Sequence, residues 1–327
     1  MSSLMCLVGA ISGHAMRQFC CRWAVAVAVC AAVTACGTGI EVTERVTDKD
    51  VRRVIDQADS HQPQVTLNAY RDSLPAWQPG KRFWVADDRV KQLFVSTHDY
   101  DIDTVRMAGH ELSFVGYNTG GLYDNRSTVN LMFGDEAGRT FVYRTGKTIE
   151  EFNSGFAIPM LIDMDMVGHI ARQVVGKDYY IRTPIWYDRL TEQMINGRHF
   201  IKVHIDNVLP GNAVMPLRLL FTTADDHQPA MVWMSDNSSV MRGRDFDALF
   251  TAADPHLSHP AITPSTWSLI TRGEVAIGMN KEECLLSLGN PNRISTNPDQ
   301  GGLREYWYYD GGSYLYFVDG LLNQFRR

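Results

Sequence analysis

Apolar and polar residues alternate in short runs along most of the chain, as they do in strands with one buried face, and the runs fall into two similar sets. Gly80-Lys81-Arg82-Phe83-Trp84-Val85 parallels Gly176-Lys177-Asp178-Tyr179-Tyr180-Ile181. Gly109-His110-Glu111-Leu112 parallels Gly197-Arg198-His199-Phe200, and Val129-Asn130-Leu131-Met132-Phe133 parallels Leu217-Arg218-Leu219-Leu220-Phe221. The last two pairs share an offset of 88 residues (217 − 129), whereas the first is offset by 96 (176 − 80), which asks for eight extra residues in the first set. The intervening segments carry the Gly, Asn, Asp and Pro of turns. The pattern predicts two copies of a small antiparallel β-module, each a sandwich or a partly open barrel, over 79–157 and 158–250.

Helical spacing replaces alternation in three places. Thr47 or Asp48 can cap a helix with Val51, Val54, Ile55 and Ala58 on one face, within a tether and linker spanning 36–78. Pro159 can start a helix carrying Leu161, Met164, Val167 and Ile170, which would lead into the second module. Beyond a proline-rich boundary, Asn280 with Glu283 makes a capping box, Leu285 and Leu288 face a core, and Gly289 and Pro291 end the helix. Alternation then returns in three runs, 304–309, 313–318 and 321–325, the last two joined by the hairpin turn Asp319-Gly320. The whole reads as an α+β, β-rich chain closing, over 262–327, with helices on a three-stranded antiparallel sheet. If Trp307, Tyr309 and Phe317 face those helices, Tyr306, Tyr308 and Tyr316 point away from them. They are then either a partner-binding surface or a second packing face.

The first 35 residues differ from all of this. Arg17 and Arg22 precede an apolar run of eleven residues, 23–33, well short of the roughly 20 that a membrane-spanning helix needs. Met16 offers a second possible start. The run ends in Val33-Thr34-Ala35-Cys36-Gly37, which resembles the lipobox of bacterial lipoproteins. That resemblance implies a signal peptide over 1–35, acylation of Cys36 and a membrane anchor through it. Gly37, where aspartate would retain a lipoprotein in the inner membrane, implies the outer membrane, and a tether without the acidic cluster of a surface-export signal implies a periplasm-facing location. With Cys36 acylated and the signal removed, Cys284 is the sole remaining thiol, so no disulfide is expected. Removing the two signal arginines leaves 29 basic and 37 acidic residues, a charge of −8, which argues against nucleic acid as a partner.

Gly278-Met279 with Lys281 and Glu283, Leu288-Gly289 with Pro291, Glu305, Trp307 and Tyr309, and Tyr316-Phe317 with Asp319-Gly320 together resemble the SmpA/OmlA domain. This is the domain of the small BamE lipoprotein of the outer-membrane β-barrel assembly machine, and its fold is similar to that of the β-lactamase inhibitor protein. The resemblance covers about the last 60 residues and implies two helices on an antiparallel sheet; it transfers no barrel-assembly role, since this chain carries some 200 further residues.

Signatures of known chemistry are missing from the chain: there is no Gly-x-Ser-x-Gly elbow, Walker loop, His-Glu-x-x-His or Cys-x-x-Cys. No enzyme activity, metal or cofactor is expected. His256 and His259 lack a third zinc ligand nearby, Asp163 with Asp165 and Asp225 with Asp226 fit no calcium loop, and Cys284 has no neighbouring base and reads as a buried residue. The expectation is a non-enzymatic envelope lipoprotein that binds a protein partner at the outer membrane. The alternative is a periplasmic lipoprotein that holds a small ligand or glycan among Trp84, Trp186, Tyr187 and Trp233.

Overall fold

The computed structural model describes residues 67–68, 70, 72–95, 102–120, 127–152, 157–236, 243–299 and 302–326. The signal segment, Cys36 and the helix expected near 47–58 lie outside them. The described chain is β-rich, with three antiparallel sheets and few helices. None of its helices is long and apolar enough to cross a membrane.

The first sheet contains β1 (Arg82–Val85), β2 (Phe94–Val95), β3 (Glu111–Thr119), β4 (Val129–Gly134), β5 (Thr140–Arg144) and β6 (Leu161–Asp163), in the order β2-β5-β4-β3-β1-β6. The second contains β7 (Asp178–Ile181), β8 (Ile185–Tyr187), β9 (Met194–Asn196), β10 (Ile201–Pro210), β11 (Leu217–Thr223), β12 (Pro229–Met234) and β13 (Phe250–Thr251). Its order, β13-β7-β10-β11-β12-β8-β9, is the first order reversed with one hairpin strand added. Each module therefore has a single open sheet, where a sandwich would need two.

The repetition extends to register. Phe114 pairs with Phe133 as Ile205 pairs with Phe221, and both ladders slip at one extra residue, Val115 in β3 and Asp206 in β10. Gly80 and Gly176, both at positive φ (92° and 77°), donate their amides to Phe114 and Ile205. At the start of the long strand the sequence match fails by three residues. Gly109 (φ 82°) donates to the Val85 carbonyl, and its counterpart is Phe200 (φ 58°), which donates to Ile181. Gly197 is small for another reason: a Cβ there would lie 2.1 Å from the Trp186 indole. The first module accordingly has five extra residues between the two motifs, (200 − 109) being 91 against 96.

The helix expected from Pro159 begins later. Leu161–Asp163 is strand β6, paired to β1, so the first sheet extends past the expected boundary at 157. Asp163 then caps α1 (Met164–Val174) by accepting from the Asp165 amide. Val167, Ile170 and Val174 of α1 bury against Val203, Ile205, Leu219 and Phe221 of the second sheet. Loop residues Leu74, Val90, Val105 and Phe152 enclose the first sheet's core.

A short helix α2 (Phe246–Leu249) leads into β13. The C-terminal part has α3 (Pro264–Thr271), α4 (Lys281–Leu288) and a sheet of β14 (Arg293–Asp299), β15 (Gly302–Tyr308), β16 (Tyr314–Val318) and β17 (Leu321–Arg326). The sheet has four strands where three were expected, because Arg293–Asp299 pairs along β15 despite having a single large apolar side chain, Ile294. The capping box at Asn280 and Glu283 and the left-handed Gly289 frame α4. Asp319 and Gly320, both at positive φ, make the hairpin turn. Trp307, Leu315, Phe317 and Leu322 pack against Trp267, Ile270 and Cys284 of the two helices.

Phe133 and Phe221 are equivalent and completely buried. Either Phe→Ala change is expected to cost about 3–5 kcal/mol, read as a lower urea midpoint.

Candidate functional site

Helices α3 and α4 cover one face of the C-terminal sheet, and strand alternation puts four tyrosines on the other. Across the strands the directly paired residues form two rows: Arg293, Tyr308, Tyr314, Arg326 and, beside it, Ser295, Tyr306, Tyr316, Gln324. The tyrosines are half-buried by one another. The Tyr306 ring lies 4.6 Å from Tyr316 and 6.3 Å from Tyr308, both near parallel, and 6.5 Å from Tyr314. The guanidinium of Arg293 sits 4.3 Å over the Tyr308 ring, and Gln324 Nε2 donates to the Tyr314 hydroxyl at 3.0 Å. Tyr306, Tyr308 and Tyr316 are thus brought together, with Tyr314 as a fourth member that the sequence reading left out. Trp307 and Phe317 point inward as expected, and Tyr309 packs against the same core.

The four aromatics expected to line a ligand pocket are not brought together. Trp186 is core, edge-on to Phe221, and its indole N–H donates to the Thr183 carbonyl. Trp84 packs towards the second module's core. Tyr187 and Trp233 meet at 6.2 Å, with Trp233 beneath Arg218. A different cleft, of about 320 Å³, opens between the segment before β1, helix α1 and the β10–β11 turn. Leu67, Met160, Ile162, Met166, Val214 and Phe246 line it. Met160 follows Pro159 in a turn closed by Leu161 N–H to Ile158 O, at φ 65°, the position a type II turn reserves for glycine.

Beside this cleft lies a charged cluster that the sequence did not reveal. The Lys81 side chain is 4% exposed, and its ammonium lies 2.7–3.0 Å from Asp165, Asp163 and Asp72. It also donates to the Tyr70 hydroxyl at 2.9 Å. Burial opposes its charge, but hydrogen bonds to Asp163, Asp165 and Tyr70 outweigh that and hold its pKa above the ordinary lysine value. Asp163 moves upward because burial exceeds the help it receives from Lys81. Tyr70 also rises, chiefly through burial, and stays a neutral phenol. The cluster ties β1 to β6 and to the first turn of α1. Its counterpart Lys177 is exposed, so the cluster is not part of the repeat.

The remaining candidates are structural. His256 stacks on Trp267 at 4.6 Å with Nε2 on the Ile262 carbonyl, and His259 bonds Glu282. No group of three metal-ligating side chains occurs among the described residues. Arg198 holds Asp225 and Asp226, and the Arg198 hydrogen bond draws the Asp225 carboxyl down to about 2. Cys284 is fully buried, which pushes its thiol up to about 12. His199 is buried where the second module meets α3 and α4. Its amide donates to Thr271 and its Nε2 bonds the Leu286 carbonyl, while Nδ1 has no partner among the described residues.

Three outcomes follow from these environments. Lys81→Met leaves the half-buried carboxylates of Asp72 and Asp163 uncompensated and is expected to cost about 2–3 kcal/mol near neutral pH; the loss should shrink in acid as Asp163, with its raised pKa, takes a proton. Burial lowers the His199 pKa, so its contribution is whole above the ordinary imidazole value and lost as pH falls through the depressed one. Stability of the native protein should therefore decline with acid in that range more steeply than that of His199→Gln, measured by urea unfolding at a series of pH values. Cys284 should resist a thiol reagent in the folded protein and react on unfolding.

Comparison of the chain with protein-family models, with curated proteins and with solved structures finds no match in any of the three.

Proposed function

We propose that this chain is a non-enzymatic lipoprotein of the bacterial envelope, anchored to the outer membrane through Cys36 and facing the periplasm. Its C-terminal domain, of the SmpA/OmlA type, binds a protein partner. The observation that carries this reading is the tyrosine square on the face of the C-terminal sheet opposite α3 and α4. Tyrosine and arginine are, with tryptophan, the residues enriched at energetically important contacts, since each offers a large rigid surface and a polar tip. Four tyrosines that merely filled a fold would be divided between its faces; here they share one, flanked by Arg293 and Arg326. The lipobox at 33–37 and the motifs of the last 60 residues support the setting.

The test is crosslinking in intact cells followed by tagged purification, with the native chain, Tyr306→Ser with Tyr308→Ser, and Cys36→Ala compared. A defined partner recovered with the native chain, and lost at least tenfold with both variants, is the expected outcome. Equal recovery from the tyrosine variant removes the proposed surface.

The apolar cleft favours a second reading, a small-ligand carrier, because Met160 holds a strained backbone conformation at the cleft wall. Under that reading Met160→Gly should raise stability by about 1 kcal/mol yet weaken uptake of an apolar fluorophore such as N-phenylnaphthylamine. Unchanged uptake would leave the cleft without a role.

A further inference from the structure

We infer that the tyrosine face takes an acidic, extended polypeptide segment that crosses the strands and sets a carboxylate on each of Arg293 and Arg326. The inference rests on the protein-binding reading and names the partner's chemistry. Its basis is the row Arg293, Tyr308, Tyr314, Arg326, one residue from each strand of the sheet and all on one face. Both arginines are exposed. The positions paired directly with the four tyrosines are Arg293, Ser295, Gln324 and Arg326, two cations and two neutral polar groups with no carboxylate. This is a local reversal of sign on a chain whose formal charge is −6. Local positive charge on an acidic protein selects for an anionic partner, and guanidinium planes engage carboxylates through paired hydrogen bonds.

The spacing narrows the partner further. Strands stand about 4.8 Å apart, so the two arginines, three spacings apart, are separated by about 14 Å at the backbone. An extended chain advances about 3.3 Å per residue, so acidic side chains four residues apart, about 13 Å, match the pair. The intervening residues would lie along the Tyr308 and Tyr314 side chains. An aromatic row with a cation at either end suits a strand-like segment better than a compact ligand, which needs a concave site. Arg293 is already held over Tyr308 at 4.3 Å, so less side-chain freedom is lost when it pairs.

The probe is a fluorescein-labelled 13-residue Gly/Ser peptide with glutamates every fourth position, titrated into the purified full chain and followed by anisotropy. Its glutamine counterpart and phosphatidylglycerol vesicles serve as parallel arms. The expected result is binding of the acidic peptide at least tenfold tighter than of the glutamine peptide, weakening steeply with salt. In Arg293→Gln with Arg326→Gln, whose exposed positions leave the core intact, binding should fall to the glutamine level. Equal binding of the two peptides, an unaffected double variant, vesicle binding without peptide binding, or no binding at all would each overturn the inference. A partner captured in cells in a Tyr306-dependent manner, together with any of those results, would leave the protein-binding function standing and remove only the acidic class.

Discussion

A single antiparallel sheet can bury one face only if something else covers it; the first sheet is covered by residues before β1 and between its strands, and each later sheet by helix that follows the module before it. Strand β6 closes the edge of the first sheet and turns directly into α1, which then covers the second sheet. Strand β13 closes the edge of the second sheet in the same way, and the chain beyond it runs on to α3. Lys81 reinforces the first of these junctions by drawing together Asp163, which ends β6 and caps α1, and Asp165 in the first turn. Its worth lies in geometry more than in net energy, since ion pairs in such settings largely cancel against desolvation.

The same constraint explains why the C-terminal sheet is different. Its two helices cover one face, with Trp307, Phe317 and Cys284 between them, and the tyrosines of β15 and β16 lie on the other. What remains there is a surface of polar-tipped aromatic side chains that tolerates water on one side and a partner on the other. The contrast with Trp186 is instructive. Trp186, inside a repeated module, is a core residue, whereas the tyrosines beyond the repeat occupy the sheet face opposite the core.

Much of this was legible in the residues. The duplicated modules announced themselves through Gly80 and Gly176, which start equivalent turns, and through the buried alternation ending at Phe133 and Phe221. The match failed at Gly197 because glycine there relieves contact with Trp186, whereas the left-handed position equivalent to Gly109 is taken by Phe200. Strand β14 was hidden because a strand at the sheet's edge, carrying Ser295, Asn297 and Pro298, has little apolar signal to show. The partners of Lys81 were hidden because Asp163 and Asp165 lie more than eighty residues away and become neighbours only through the β1–β6 pairing. The outward set of tyrosines could be read from alternation alone, since Tyr306, Tyr308 and Tyr316 follow the strand period. Tyr314 obeys the same period and needed only the β15–β16 register to join them.

Tyrosine footprinting in intact cells and on the purified chain measures the occupancy of this face most directly, with Tyr117, 41% exposed on the first module, as internal reference. The account predicts that Tyr306, Tyr308, Tyr314 and Tyr316 are modified several-fold less in cells than in isolation while Tyr117 is modified equally in both. Equal modification of all five would contradict it and leave the tyrosine face without a partner.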